Sequence, residues 1–237
     1  MLIRTNTLSL LFVFILNTTL AQESVENLET PAERVLNVDK FFNLKLYSGI
    51  ELKLIKSTEN KLVIIGENRM DVVVKNKGNT LKIRHSFKHL LDRSFTYIEL
   101  HHTENLDRIH TYQGSKLETT NVNEQTSITL KVHEGSTVIF SFDGEKLTSN
   151  VSSGGKLFLK GKSTNHELTV FSGGVCEAET FETEQTKVSV TAGGLSYVKA
   201  SELIDAKVTA GGTIRIHGRP KKLVTQKNIG GKIIEMN

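Results

Sequence analysis

Few residues in this chain could do chemistry, and they are scattered. Eight histidines raise the prospect of a metal centre: His85, His89, His101, His102, His110, His133, His166 and His217. His85 and His89 have the i,i+4 spacing of a helix face. Zinc, however, needs three or four nitrogen, oxygen or sulfur ligands in a tetrahedron. His101 and His102 are neighbours in a stretch that reads as strand, so they point to opposite faces and at most one can join a given site. The histidines read as solvated side chains on loops and strand exteriors, and no metal is expected. Glu177, Glu179, Glu182 and Glu184 form the only dense acidic run. A glycosidase needs two carboxyls at a set separation, one with a raised pKa, and solvated glutamates beside lysines do not meet that need. No G-x-S-x-G elbow is present, so the Ser-Gly-Gly at 153–155 and 172–174 reads as a chain corner rather than a nucleophile. The Gly-rich corners open no helix and therefore offer no phosphate cradle. No catalytic residue and no cofactor is assigned; the expectation is a non-enzyme.

The 237 residues carry 30 Lys+Arg against 26 Asp+Glu, 38% hydrophobic residues, 18 Gly, two Pro and one Cys. A formal net charge of +4, spread over both signs, does not argue for nucleic acid. One cysteine excludes an intramolecular disulfide framework; Cys176 alternates with Ala178 and reads as a buried apolar residue. At the N-terminus, Arg4 precedes the apolar run Leu8–Leu16 and the small residues Thr19 and Ala21, the pattern of a secretory signal peptide cut after Ala21. A bilayer span needs about 20 apolar residues, more than this run supplies. The expected product is exported and soluble, in the periplasm, at the cell surface or outside the cell.

The elements that position these residues repeat. Gly-Gly pairs fall at 154–155, 173–174, 193–194, 211–212 and 230–231, and stepping back from Gly155 reaches Gly135 and Gly114. Taking the second Gly of each pair as the mark, the seven glycines are 18 to 21 residues apart. Two and four residues after the mark stand Thr137/Ile139, Leu157/Leu159, Cys176/Ala178, Ser196/Val198 and Ile214/Ile216. Alternation with period two is strand chemistry. A unit this small cannot bury a core alone, but stacked units can. The expected fold is all-β: a parallel β-helix (β-solenoid) of about six rungs, with Leu157, Ala178, Val198 and Ile216 sharing an interior column.

Residues 1–21 are assigned to the signal peptide and 22–34 to a flexible lead-in. Residues 35–109 form an irregular β-rich N-terminal part acting as cap, and 110–237 the regular rungs. In the N-terminal part, Leu44–Tyr47, Ile50–Ile55, Leu62–Ile65, Val72–Val74, Leu81–Ile83 and Phe95–Leu100 read as strands. Phe41, Phe42, Phe87 and Phe95 are placed over the open end of the first rung, as terminal units of solenoids require.

On the stretches FFNLKLYSGIELKLIK (41–56), LVIIGENRMDVVVKNKGNTLKIR (62–84), YIELHHTENLDRIHTYQGSKL (97–117) and the closing GGTIRIHGRP and GGKI, the chain resembles the head GIN domain family of putative auto-transporter adhesins, secreted bacterial β-solenoid proteins. The resemblance covers about 200 residues. It implies adhesion or surface interaction and brings no catalytic residues.

Counting from the same marks, the outward positions place Val138, Phe140, Phe158, Val175, Leu195 and Tyr197 on one mixed apolar and aromatic face. Exposed apolar patches of this kind mark interaction surfaces, with aromatics as anchors. Lys160, Glu179 and Lys199 are expected to form an alternating-charge ladder beside it. The expected partner is a cell-surface glycan or protein. Two alternatives stand beside that reading: a carbohydrate-active enzyme on the same scaffold, and a periplasmic scaffold without ligand.

Overall fold

The glycines work as pairs with two different tasks. In the computed structural model, which describes residues 33–86 and 96–236, each repeating corner holds two consecutive residues in the left-handed region. Ser153 and Gly154 have φ of 51° and 74°, Ala192 and Gly193 50° and 73°, and Glu134 and Gly135 54° and 71°. Two left-handed residues in succession make the tight I′-type turn, and glycine takes the second place without steric cost. The glycine that follows is needed for space. A Cβ on Gly155 would lie 2.3 Å from the Val132 carbonyl oxygen, and one on Gly174 2.6 Å from that of Val151. The chain at this position therefore rests directly on the rung before it. Two earlier rungs carry Ser115 and Ser136 there instead, both buried, with the Ser136 hydroxyl 2.7 Å from the His133 carbonyl.

Two parallel stacks rise from these corners. The first runs through β6 (Thr80–His85), β2 (Asn43–Leu46), β8 (Arg108–Thr111), β11 (Ser127–Val132) and the second halves of β12 (Thr137–Ser152) and β13 (Lys156–Phe171). It continues through β15 (Phe181–Val190), β17 (Leu203–Val208) and β19 (Lys222–Lys227). The second runs through β7 (Tyr97–His102), β3 (Glu51–Lys56), β9 (Lys116–Thr119) and the first halves of β12 and β13. It ends with β14 (Val175–Glu177), β16 (Leu195–Lys199), β18 (Thr213–His217) and β20 (Lys232–Met236). A short third side joins β10 (Asn123–Glu124) to Phe142–Asp143 and then Gly161–Lys162 to Phe181–Glu182. The solenoid makes about seven turns, close to the six rungs read from the glycines.

The rungs are not stacked in chain order at the start. The β2–β3 rung lies between β6–β7 and β8–β9, so the first rung in sequence is internal to the stack. The end is closed by reversing direction: β5 (Val72–Lys77) pairs antiparallel with β6, and β4 (Lys61–Ile65) antiparallel with β7. β1 (Glu33–Asn37) then adds antiparallel to β4. The N-terminal part is thus a cap built of strands. Phe41 is a core residue, fully enclosed rather than lying over an open end. Phe87, Phe95 and His89, and residues 1–32, where the signal peptide and most of the lead-in were expected, lie outside the described residues. At the opposite end the last rung places Thr225, Lys227 and Glu235 opposite the buried Ala206, Val208 and Ile216. Polar residues in interior columns blunt a sheet edge that would otherwise recruit further strands.

One register expectation fails, with a clear cause. Val138 pairs with Leu157 and Phe140 with Leu159, so Val138 and Phe140 point inward, 1% and 0% exposed. Gly135 is the left-handed glycine of its corner, equivalent to Gly154 and not to Gly155. Counting it as the second glycine shifted that unit by one residue, and a one-residue slip exchanges the two faces of a strand. Thr137 and Ile139 are the outward residues there. Likewise Leu157 lies in the column of Cys176, Ser196 and Ile214, next to the column that holds Val198 and Ile216. All are buried. The charge ladder is also different. Between Glu177 and Phe181 one extra residue enters the rung: Phe158 pairs with Glu177, 19 positions on, but Gly161 pairs with Phe181, 20 on. Lys199 bonds Glu182 at 3.0 Å rather than Glu179. Lys146–Glu167 at 3.0 Å and Lys162–Asp143 at 3.4 Å make the same kind of bridge between rungs.

Cys176 and His166 lie inside the solenoid. Cys176 is buried, as its spacing indicated, and burial pushes its thiol up. His166 shares an interior column with Leu147, Thr186 and Ile204. Its Nε2 lies 3.1 Å from the Ser149 hydroxyl and its ring meets the edge of Phe181 at 5.5 Å. Burial lowers its pKa to about 3.

Two outcomes are expected. Gly154→Ala, with open space around it, costs about 1 kcal/mol for the left-handed backbone. Gly155→Ala drives a methyl into the Val132 carbonyl and lowers the thermal midpoint further; the reverse order would contradict this division of labour. For His166, the unfolded side chain titrates near about 6.5, so between there and about 3 the unfolded state binds the extra proton. Its contribution to stability is intact above about pH 6.5 and is lost as pH falls, at up to about 1.4 kcal/mol per pH unit. His166→Gln should flatten the acid limb of a denaturation series between pH 6.5 and 4 by that amount, and an unchanged slope would contradict it.

Candidate functional site

The second stack presents the larger apolar face. Down its central outward column Ile139 lies opposite Phe158, Phe158 opposite Glu177, Glu177 opposite Tyr197, Tyr197 opposite Arg215 and Arg215 opposite Ile234. Lys156, Val175, Leu195 and Thr213 form the neighbouring column. Of the six residues expected on this face, the structure brings Phe158, Val175, Leu195 and Tyr197 together, each half-buried among its neighbours. Val138 and Phe140 are in the core, and Ile139 takes their place. Arg215 and Ile234 complete the strip, both at the third place after the glycine mark that Phe158 and Tyr197 also occupy. The signal for Ile139 was Ser136, which shows that the second glycine of that corner had been replaced.

Electrostatics shape the lower half of the strip. The Arg215 guanidinium lies 5.3 Å from the centre of the Tyr197 ring, and its Nη1 donates to the Tyr197 hydroxyl at 3.4 Å. His217 adds a tilted ring contact with Tyr197 at 6.0 Å. Tyr197 is therefore an aromatic anchor clamped from one side by a cation, while Glu177 divides the apolar run. Such a surface can bury rings and form hydrogen bonds at its edges.

The other candidate chemistry dissolves on inspection. A cleft of about 610 Å³ on the short third side is lined by Asp143, Lys162, Glu182, Lys199 and Arg219 among others. Of its three carboxylates, Asp143 is engaged by Lys162 and Glu182 by Lys199, while Glu184 is exposed at the wall. The acidic run divides between two places: Glu177 lies on the strip, and Glu182 and Glu184 both line the cleft. The histidines are also dispersed. His102 bonds the Glu104 carbonyl at 2.8 Å, His101 lies 3.8 Å from Glu99, and His166 is interior. Among the described residues, no three His, Cys, Asp or Glu side chains come together as metal ligands.

With this geometry in view, comparison with known proteins is informative about the fold. A crystal structure described as a "putative adhesin" from Bacteroides fragilis superposes with a TM-score of 0.76 at 20% identity, covering 88% of this chain and 98% of that one. A "putative adhesin" from Parabacteroides merdae gives 0.72 at 12% identity, covering 88% and 97%. A "putative lipid binding protein" from Parabacteroides distasonis gives 0.70 at 15%, covering 88% and 98%. No curated protein matches the chain. No helix among the described residues is long and apolar enough to cross a membrane. The sequence model of one family, "Putative auto-transporter adhesin, head GIN domain", matches residues 40–220, and the chain belongs to that family.

Proposed function

We propose that this protein is exported and acts by binding rather than by turnover, using the strip of the second stack to hold a partner at a cell surface. The observation that carries the reading is the clustering of Ile139, Phe158, Val175, Leu195 and Tyr197 on one flat face. Large aromatic and aliphatic side chains flanked by a cation are the usual anchors of interfaces. Membership of an adhesin-like family supports a binding role, and the export pattern of residues 1–21 supports a location where such a partner is met. Of the two partner classes, glycan and protein, the apolar makeup of the strip favours a protein.

The test is a double substitution of half-buried, outward residues. Phe158→Ser with Tyr197→Ser should weaken binding to target cells about a thousandfold, since each truncated anchor at an interface costs about 2 kcal/mol and about 1.4 kcal/mol is a factor of ten. The thermal midpoint should move little. Unchanged binding removes the strip as the site, and turnover of a polysaccharide lost on Glu177→Gln would replace the binding reading with an enzymatic one.

A further inference from the structure

The first stack carries a charge pattern that the glycine repeat conceals. Reading the register outward from the cap, Lys75 lies opposite Lys82, Lys82 opposite Lys45, Lys45 opposite His110 and His110 opposite Lys131. Five successive strands thus place a basic side chain at the same outward position. Adjacent strands are about 4.8 Å apart, so the column extends for about 19 Å. In the flanking column Lys77 and Arg108 stand beside Thr80 and Asn43. Among the described residues, no outward strand position on this face from β5 to β11 is acidic.

Like charges directly opposite one another weaken a sheet, and farther along this stack opposite charges stand in line instead, Glu167 opposite Lys187 and Lys187 opposite Asp205. Further down the same stack Lys146 bonds Glu167. In the basic column Lys45, Lys75 and Lys131 have no ion-pair partner among the described residues. The crowding of positive charge is also felt by His110: beyond burial, Lys131, Lys45 and Arg108 hold its imidazole neutral down to about 4. Beside the column runs a ladder of rings. Tyr47 stacks on Tyr112 at 4.8 Å, Tyr112 on His133 at 5.6 Å, and Lys82 caps the Tyr47 ring at 4.7 Å.

We infer that this face binds an acidic polysaccharide laid across the strands, its carboxylate or sulfate groups meeting the lysine column. The surface is flat and extended, which suits a polymer bearing charges at regular intervals. The ring faces are occupied by one another and by Lys82, which leaves little for stacking nucleobases, the main contact that single-stranded nucleic acid makes with aromatics. Tyr hydroxyls, Asn43, Thr80 and Thr129 supply hydrogen-bonding groups for sugar hydroxyls. This site lies on the other sheet from the proposed strip and does not depend on it.

The test measures binding of the purified protein to polygalacturonate, dextran sulfate and neutral dextran at low and physiological salt. Binding to one or both acidic polymers and not to dextran is expected, weakening as salt rises because counterions are released. The triple variant Lys45→Gln, Lys75→Gln, Lys131→Gln should lose about tenfold or more in affinity. Its thermal midpoint without polymer should stay level or rise, because like-charge opposition is relieved. Phe158→Ser should retain the binding. Failure to bind either acidic polymer, equal binding by the triple variant, or tighter binding of oligo-dT or phosphatidylglycerol vesicles would each overturn the inference.

Discussion

A rung of this solenoid closes only because the chain turns through two left-handed residues and then passes within van der Waals reach of the rung before it. The first requirement is met by a glycine at the second corner place, with Ser, Ala, Gln, Glu or Ile tolerated at the first. The second is met by a further glycine, or in two rungs by a serine whose hydroxyl finds a carbonyl; the β2–β3 rung carries the buried Ile50 there. Together they set the height of each step and keep the strands in register. Interior columns, outward columns and the partners of every charged side chain follow from that register.

The period of the solenoid was legible because glycine has no substitute at the left-handed place, and eight corners among the described residues use it. Alternation then assigned faces correctly wherever both glycines are present, which is why Phe158, Val175, Leu195 and Tyr197 were found. Where Ser136 replaces the second glycine, the same reasoning slipped by one residue and sent Val138 and Phe140 to the wrong side. The extra residue between Glu177 and Phe181 was equally invisible, since an added residue in a turn leaves the glycine spacing within its normal scatter. The cap was legible as strands but not as an arrangement. Nothing local in β2 and β3 tells that a later rung will pair on their outer side, because that choice is made by long-range pairing.

The two outward faces differ in kind, and the difference arises from what each stack places in line. The second stack puts rings and aliphatic chains in neighbouring positions, punctuated by Glu177 and clamped by Arg215. The first puts lysines in line near the cap and opposite charges in line farther on. Counts of charge over the whole chain average these two patterns to a small net value and conceal both. Only the register separates them. The interior tells the same story, since His166 and Cys176 are placed by columns and made inert by burial.

The register can be read directly by engineered disulfides. In parallel neighbours at this spacing, outward residues directly opposite one another meet the Cα separation a disulfide needs. Ile139 lies opposite Phe158, whereas Phe140 points into the core. Ile139→Cys with Phe158→Cys should therefore oxidise readily to an intramolecular bond in the folded protein, while Phe140→Cys with Phe158→Cys should remain reduced. Cross-linking of the second pair and not the first would contradict the register on which both binding faces are built.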